Sequence, residues 1–136
     1  KLLLLVGLLL RGRSRMSKKE EYKYFKIEDF ACQETNANRI SPAFVTRLDH
    51  LRHVCGFPFI ITSGYRDPKH SAEVSKPEGT KGQHTLGMAA DVAVRNAEQR
   101  YLIVKHATEL GFTGIGIAKT FVHVDTRATT PVIWTY

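Results

Sequence analysis

His84-Thr85-Leu86-Gly87-Met88-Ala89-Ala90-Asp91-Val92-Ala93-Val94 is the stretch on which the fold turns. From Met88 to Val94 it reads as a strand, and an acid sits in the middle of that apolar run. An aspartate after Ala-Ala is costly to bury there without a partner. Upstream, residues 63–83 are polar and rich in Gly, Pro, Ser and Lys, and they read as a long loop. A loop of that length in a compact domain is usually functional or mobile. Before it, Phe57-Pro58-Phe59-Ile60-Ile61-Thr62 reads as a buried strand. Before that strand, Ser41-Pro42 joins an N-cap hydroxyl to a proline at the first helical position. Phe44, Val45, Leu48, Leu51, Val54 and Cys55 then recur at helical spacing up to Gly56. Further upstream, Phe25, Ile27 and Phe30 alternate with charge in a segment expected to dock on the core.

Downstream, Asn96 caps a helix running to about Leu110, with Leu102, Ile103, Ala107 and Leu110 on one face and Gly111 at its end. Ile115–Ile117 and Phe121–Asp125 form a hairpin around Ala118-Lys119-Thr120. Pro131–Tyr136 is a tail carrying the single tryptophan, Trp134. Helices and strands interleave irregularly around at least one hairpin, so the class is α+β.

At 136 residues and 15.3 kDa the chain makes one domain. An apolar fraction of 43% and a charged fraction of 24% are those of an ordinary globular chain, not of collagen, a coiled coil or wholesale disorder. Two cysteines exclude a disulfide-dense scaffold and a four-thiolate zinc site, and Cys32 and Cys55 read most simply as reduced thiols. The net charge of +7 suggests nucleic acid at first sight. Six of those charges belong to Lys1, Arg11, Arg13, Arg15, Lys18 and Lys19, however, and residues 1–19 contain no acid. The remainder carries +1, so nucleic-acid binding is not expected. Leu2–Leu10 is apolar apart from Gly7, but too short to cross a hydrocarbon core about 30 Å thick. No stable membrane span is expected. Residues 1–15 are read as a leader or non-native tail and residues 16–136 as a single domain. No heptad or exposed apolar stripe points to an oligomer, and a monomer is expected.

A catalytic zinc takes three protein ligands, drawn from imidazole nitrogen and carboxylate oxygen, and keeps one open position. His84, Asp91 and His123 supply such a set. Gly87 lets the chain turn between the first two. In a strand Phe121–Asp125, alternate residues share a side, so His123 and Asp125 point the same way. A metal there would bring the pKa of a water toward about 7 and polarise a carbonyl. His50, His53 and His106 fall on expected helices and His70 in a solvated loop, and all four read as surface or hydrogen-bonded residues.

Three stretches together carry a family resemblance: Ser63-Gly64-Tyr65-Arg66, the full His-x-x-Gly-x-Ala-x-Asp pattern at 84–91, and His-x-Asp-x-Arg at His123, Asp125 and Arg127. In this order they resemble the zinc D-Ala-D-Ala metallopeptidases that share a fold with the hedgehog signalling domain. The likeness is closest to the small peptidoglycan-peptidase branch common in phage endolysins, and runs from about Phe25 to Tyr136. It implies a small, mostly antiparallel sheet with flanking helices, zinc as cofactor, and His84, Asp91 and His123 as its ligands. It also implies that Arg66 holds a substrate carboxylate or a developing oxyanion, for which a planar fork of donors is suited. A loop-anchoring ion pair is the plainer reading of Arg66.

Two positions depart from the family. Gly82 stands where a serine is frequent, and Thr120 stands where many relatives have an acidic general base. Asp125 is the nearest acid able to face the metal and is nominated as base. The alternatives are that it orients a ligand or pairs with Arg127. Trp134 and Tyr136 read as packing or cleft-wall residues.

The implied activity is hydrolysis of a peptide bond in peptidoglycan stem peptides, as a carboxypeptidase or an endopeptidase. The protein would then act on the cell wall, either phage-encoded or exported. The competing expectation, motivated by Thr120, is a catalytically inactive, zinc-stabilised module that binds cell wall or protein.

Overall fold

The computed structural model describes residues 21–77 and 82–136. The expected leader at 1–15 lies outside them. Helix α1 (Pro42–Cys55) starts where Ser41 Oγ accepts a hydrogen bond from the Phe44 amide at 3.2 Å. It stops at Gly56, whose φ of 77° suits a residue without a Cβ. Phe44, Val45, Leu48, Leu51 and Cys55 are buried on one stripe. Val54, expected on that stripe, lies at its margin and is exposed.

Helix α2 (Ala97–Glu109) is capped by Asn96, whose side chain accepts from the Gln99 amide. It buries Ile103 and Ala107. Arg47 of α1 donates to the carbonyls of Leu110 and Gly111, both at 3.0 Å, and so ties the two helices together.

Five strands complete the domain: β1 (Ile61–Ser63), β2 (Ala89–Ala93), β3 (Gly114–Ile117), β4 (Phe121–Asp125) and β5 (Val132–Thr135). Their order is β1-β2-β4-β3-β5. Every pairing is antiparallel except β3 with β5. The class is therefore α+β with a mostly antiparallel sheet, as expected.

Two details differ from the sequence reading. The expected buried strand at 57–62 is only a short edge strand beginning at Ile61, and Ile60 is 54% exposed. Pro58 lacks an amide to donate, so the ladder ends just upstream, where the Ile60 carbonyl still accepts from the Ala93 amide at 2.9 Å, and Phe57 and Phe59 are only half-buried against the core. The expected tail, in turn, is β5, a parallel edge strand of β-branched and aromatic residues.

The two faces of the sheet do different work. Ala90, Val92, Ile115, Val122 and Val124 join the helices in the core. Each fully buried valine or isoleucine contributes roughly 1.5–3 kcal/mol. On the opposite face one rung crosses the whole sheet through successive register partners: Ser63, Asp91, His123, Gly116 and Trp134.

The loop between β1 and β2 is fastened at both ends. Near its start, the Tyr65 amide donates to the Phe30 carbonyl at 2.8 Å, and a Cβ on Gly64 would lie 2.7 Å from the Phe30 backbone. Phe25 and Phe30 are buried edge to face, so the expected docking segment is what anchors this end. At the far end, Gly87 has φ 76°, its carbonyl accepts from the Ser41 amide, and a Cβ there would run into the Arg39 carbonyl oxygen.

Candidate metal centre

The rung on the site face brings two of the three expected donors side by side, because Asp91 and His123 are register partners on β2 and β4. His84 arrives from the turn that Gly87 closes. His123 Nδ1 lies 3.1 Å from Asp91 Oδ1 and 3.2 Å from His84 Nε2, and His84 Nε2 lies 3.3 Å from Asp91 Oδ1. The edge of a tetrahedron built on zinc bonds of about 2.0–2.1 Å is about 3.3 Å. The three donor atoms thus form one face of such a tetrahedron.

Their protons strengthen the fit. His84 Nδ1 lies 2.8 Å from the Gly64 carbonyl, which can only accept, so the hydrogen sits on Nδ1 and Nε2 keeps its lone pair. His123 Nε2 donates to Asp125 Oδ2 at 2.7 Å, which leaves Nδ1 bare. When both rings are neutral, two lone pairs and a carboxylate oxygen therefore face one another, an arrangement that a cation, proton or metal ion, satisfies.

The titration behaviour agrees. Burial pushes the Asp91 carboxyl up, but hydrogen bonds with His123 and His84 outweigh it and bring it down to about 2. Burial disfavours the charged His123 ring, yet its bonds to Asp125 and Asp91 raise it above the ordinary imidazole value. The centre favours positive charge between its donors.

Asp125 occupies the far side of His123 from those donors. Its Oδ1 accepts from the Arg127 backbone amide at 3.1 Å and from Arg127 Nε at 2.9 Å. Its Oδ2 accepts from Arg127 Nη2 at 2.6 Å and from His123 Nε2. It has no exposed surface. Burial raises its carboxyl, and the bonds from His123 and Arg127 pull it well below the usual carboxylate range. The sequence nominates Asp125 as a base facing the metal; in the structure its carboxylate lies beyond His123 from the other two donor residues and pairs with Arg127. Thr120, the position at which the resemblance leads one to expect an acid, is exposed at the turn before β4.

Arg66 lies beside the centre. Its backbone amide donates to the His84 carbonyl at 3.1 Å, and Nη2 stands 3.4 Å from Ser63 Oγ on the Asp91 rung. Nη1 is 3.7 Å from Glu73 Oε2. Trp134 supplies a wall: its ring lies 5.1 Å from the His123 ring, and the Arg127 guanidinium stands 5.0 Å over it. Gln83, the residue before His84, has a buried side-chain oxygen with no hydrogen-bond partner among the described residues.

The other histidines sit elsewhere. His53 bonds the Tyr24 hydroxyl, His70 pairs with Glu34, His106 pairs with Glu109, and His50 is exposed on α1. Cys32 and Cys55 are buried free thiols.

Sequence reasoning missed three participants. Glu73 lay in a loop read as uniformly solvated. Gly114 and Gly116 sat inside a strand, where a glycine signals close approach. A Cβ on Gly114 would strike the Asp125 carboxylate, and one on Gly116 would lie 2.7 Å from the Trp134 ring.

No curated protein matches the chain. The sequence pattern of the peptidase M15 family matches residues 23–125. The expected kinship with the zinc D-Ala-D-Ala metallopeptidases is thereby shown. The matched span contains the turn of His84 and both strands of the donor rung, and it places this chain in the peptidase M15 family.

Proposed function

We propose that the chain is a zinc-dependent peptidase that hydrolyses a peptide bond in peptidoglycan stem peptides. The observation that carries the reading is the convergence of three donor atoms within 3.1–3.3 Å, with the remaining ring nitrogens already committed to other partners. His84 through Nε2, Asp91 through Oδ1 and His123 through Nδ1 hold the metal. Zinc, when bound, supplies Lewis acidity that polarises a carbonyl and brings the pKa of a water toward about 7.

The chain's other residues prepare the site. The Gly64 carbonyl and the Asp125 carboxylate fix the tautomers of the two imidazoles and the angles of their rings. With both oxygens engaged and no exposed surface, Asp125 acts by orienting His123, and no proton transfer is assigned to it. Arg66, with 28% of its side chain exposed, offers N–H groups to a substrate carboxylate or to the oxyanion that develops at the scissile carbonyl. Trp134 shields the His123 side of the cleft from water. The reaction takes place on the cell wall, by a phage-encoded or exported protein.

Zinc-loaded protein incubated with purified peptidoglycan, with and without a chelator, tests this. Chelator-sensitive release of D-alanine indicates a carboxypeptidase, and chelator-sensitive release of peptide fragments an endopeptidase. Absence of both refutes the reading. One observation favours a second reading, a zinc-stabilised binding module: Thr120 replaces the usual acid while Asp125 is fully engaged. Zinc-dependent retention on peptidoglycan without any release would establish that alternative.

A further inference from the structure

From Ser71 to Pro77 every residue is exposed except Glu73, whose side chain is 1% exposed. A surface loop does not turn a carboxylate inward without compensation, because desolvating the charge is costly. Its Oε1 accepts from Thr85 Oγ1 at 3.1 Å, and its Oε2 accepts from Lys76 Nζ at 2.8 Å. The same Oε2 faces Arg66 Nη1 at 3.7 Å. Burial raises the Glu73 carboxyl, but Lys76, Thr85 and Arg66 together hold it below its ordinary value, so it is ionised at neutral pH.

Those partners lie where they matter. Thr85 follows the donor His84, and Ser63, the other neighbour of the guanidinium, is the register partner of Asp91. The Arg66 guanidinium thus lies between Ser63, beside the strand of Asp91, and Glu73, which Thr85 ties to the turn of His84. Its contacts at 3.7 and 3.4 Å are too long to be strong hydrogen bonds. Charge holds the group in place, and among the described residues no closer acceptor takes its side-chain N–H groups.

We propose that Glu73 is a positioning residue that keeps the Arg66 guanidinium beside the metal centre with its N–H fork directed to an acidic group of the substrate. Through Thr85 it also fixes Arg66 relative to the turn of His84. The inference rests on the reading of Arg66 as the cation that binds substrate.

Glu73→Gln removes the charge and keeps the shape. In the zinc-loaded protein, the Arg66 Nε–H order parameter from nuclear magnetic resonance is expected to fall, since the side chain loses its counter-charge. Zinc affinity, measured by chelator competition, stays within about threefold of wild type because no donor or donor-orienting bond is touched. With a soluble stem peptide ending in a free D-alanine carboxylate, kcat/KM falls by about tenfold to a hundredfold, the cost of a misplaced binding group. In an Arg66→Ala background the Glu73→Gln substitution adds no further loss.

An unchanged Arg66 order parameter overturns the proposal, as does full additivity with Arg66→Ala or a parallel loss of zinc. If wild-type protein cleaves nothing, the peptidase reading fails, while the order parameter still decides whether Glu73 holds Arg66. Glu73→Asp, which keeps the charge but shortens the reach, serves if the amide variant does not fold. It is expected to shift the same order parameter in the same direction by less, and no shift overturns the proposal.

Discussion

Replacing Asp125 by asparagine separates an orienting carboxylate from a catalytic one. Asp125 accepts four hydrogen bonds, two on each oxygen: the Arg127 amide and Nε on Oδ1, and Arg127 Nη2 and His123 Nε2 on Oδ2. An amide has one acceptor oxygen. Turned one way, its NH2 meets the Arg127 amide and Nε; turned the other, it meets Nη2 and the His123 N–H. Both orientations set donor against donor. Gly114 packs so closely on the carboxylate that the side chain cannot swing aside.

Loss of such an outer partner of a metal-binding histidine weakens metal affinity by about 10- to 100-fold, roughly 1.4–2.7 kcal/mol. Metal-free protein should also lose about 3 kcal/mol of stability, the lower end of the range for breaking a buried pair, since Arg127 keeps some contact with water. The assay is zinc competition against a chromophoric chelator, read beside urea unfolding of the metal-free form. A general base would behave differently, losing kcat while binding zinc as before. A zinc affinity for Asp125→Asn within twofold of wild type, together with abolished turnover, would refute the orienting role argued here.

Three further outcomes are expected. Asp91→Asn keeps the side-chain shape but removes the one anionic donor, so zinc affinity should fall by at least about 100-fold in the same competition assay. Gly116→Ala places a methyl group 2.7 Å from the Trp134 ring, and overpacking of this kind costs about 1–3 kcal/mol. A lower thermal midpoint and a red-shifted tryptophan emission would report it, and an unchanged emission maximum would contradict the packing described. The Glu73 carboxyl is held below its ordinary value of 4.5, so its contribution to stability is complete above that pH and is lost as the pH falls through the folded value. Urea unfolding of wild type from pH 6 to pH 3 should therefore steepen relative to Glu73→Gln, and parallel curves would count against it.

The elements legible in the sequence were those with local causes. Ser41-Pro42 and Asn96 start helices because their side chains satisfy orphan amides, and Gly56 ends one because it accepts a left-handed conformation. Those signals need no knowledge of the remainder of the chain. The convergence of His84, Asp91 and His123 was legible from the types and order of these residues, and for Asp91 from the need of an acid inside an apolar strand for a partner. The exposed edge at Ile60 and the parallel pairing of Val132–Thr135 were not, since both depend on which strands end up outermost. The position of Asp125 could not be fixed by alternation alone. Periodicity puts it on the same side as His123, but Arg127, two residues on, turns its carboxylate away from the donors. Glu73 escaped notice because its burial comes from partners at 66, 76 and 85, which no local pattern connects.

The rung through Ser63, Asp91, His123, Gly116 and Trp134 has a consequence for how the protein becomes competent. If β4 slid by a single residue, His123 would turn into the oily layer and Val122 or Val124 would take its place. His84 and Asp91, which lie outside β4, would stay together and lack their third partner. Completion of the donor set therefore reports the alignment of β4 against β2.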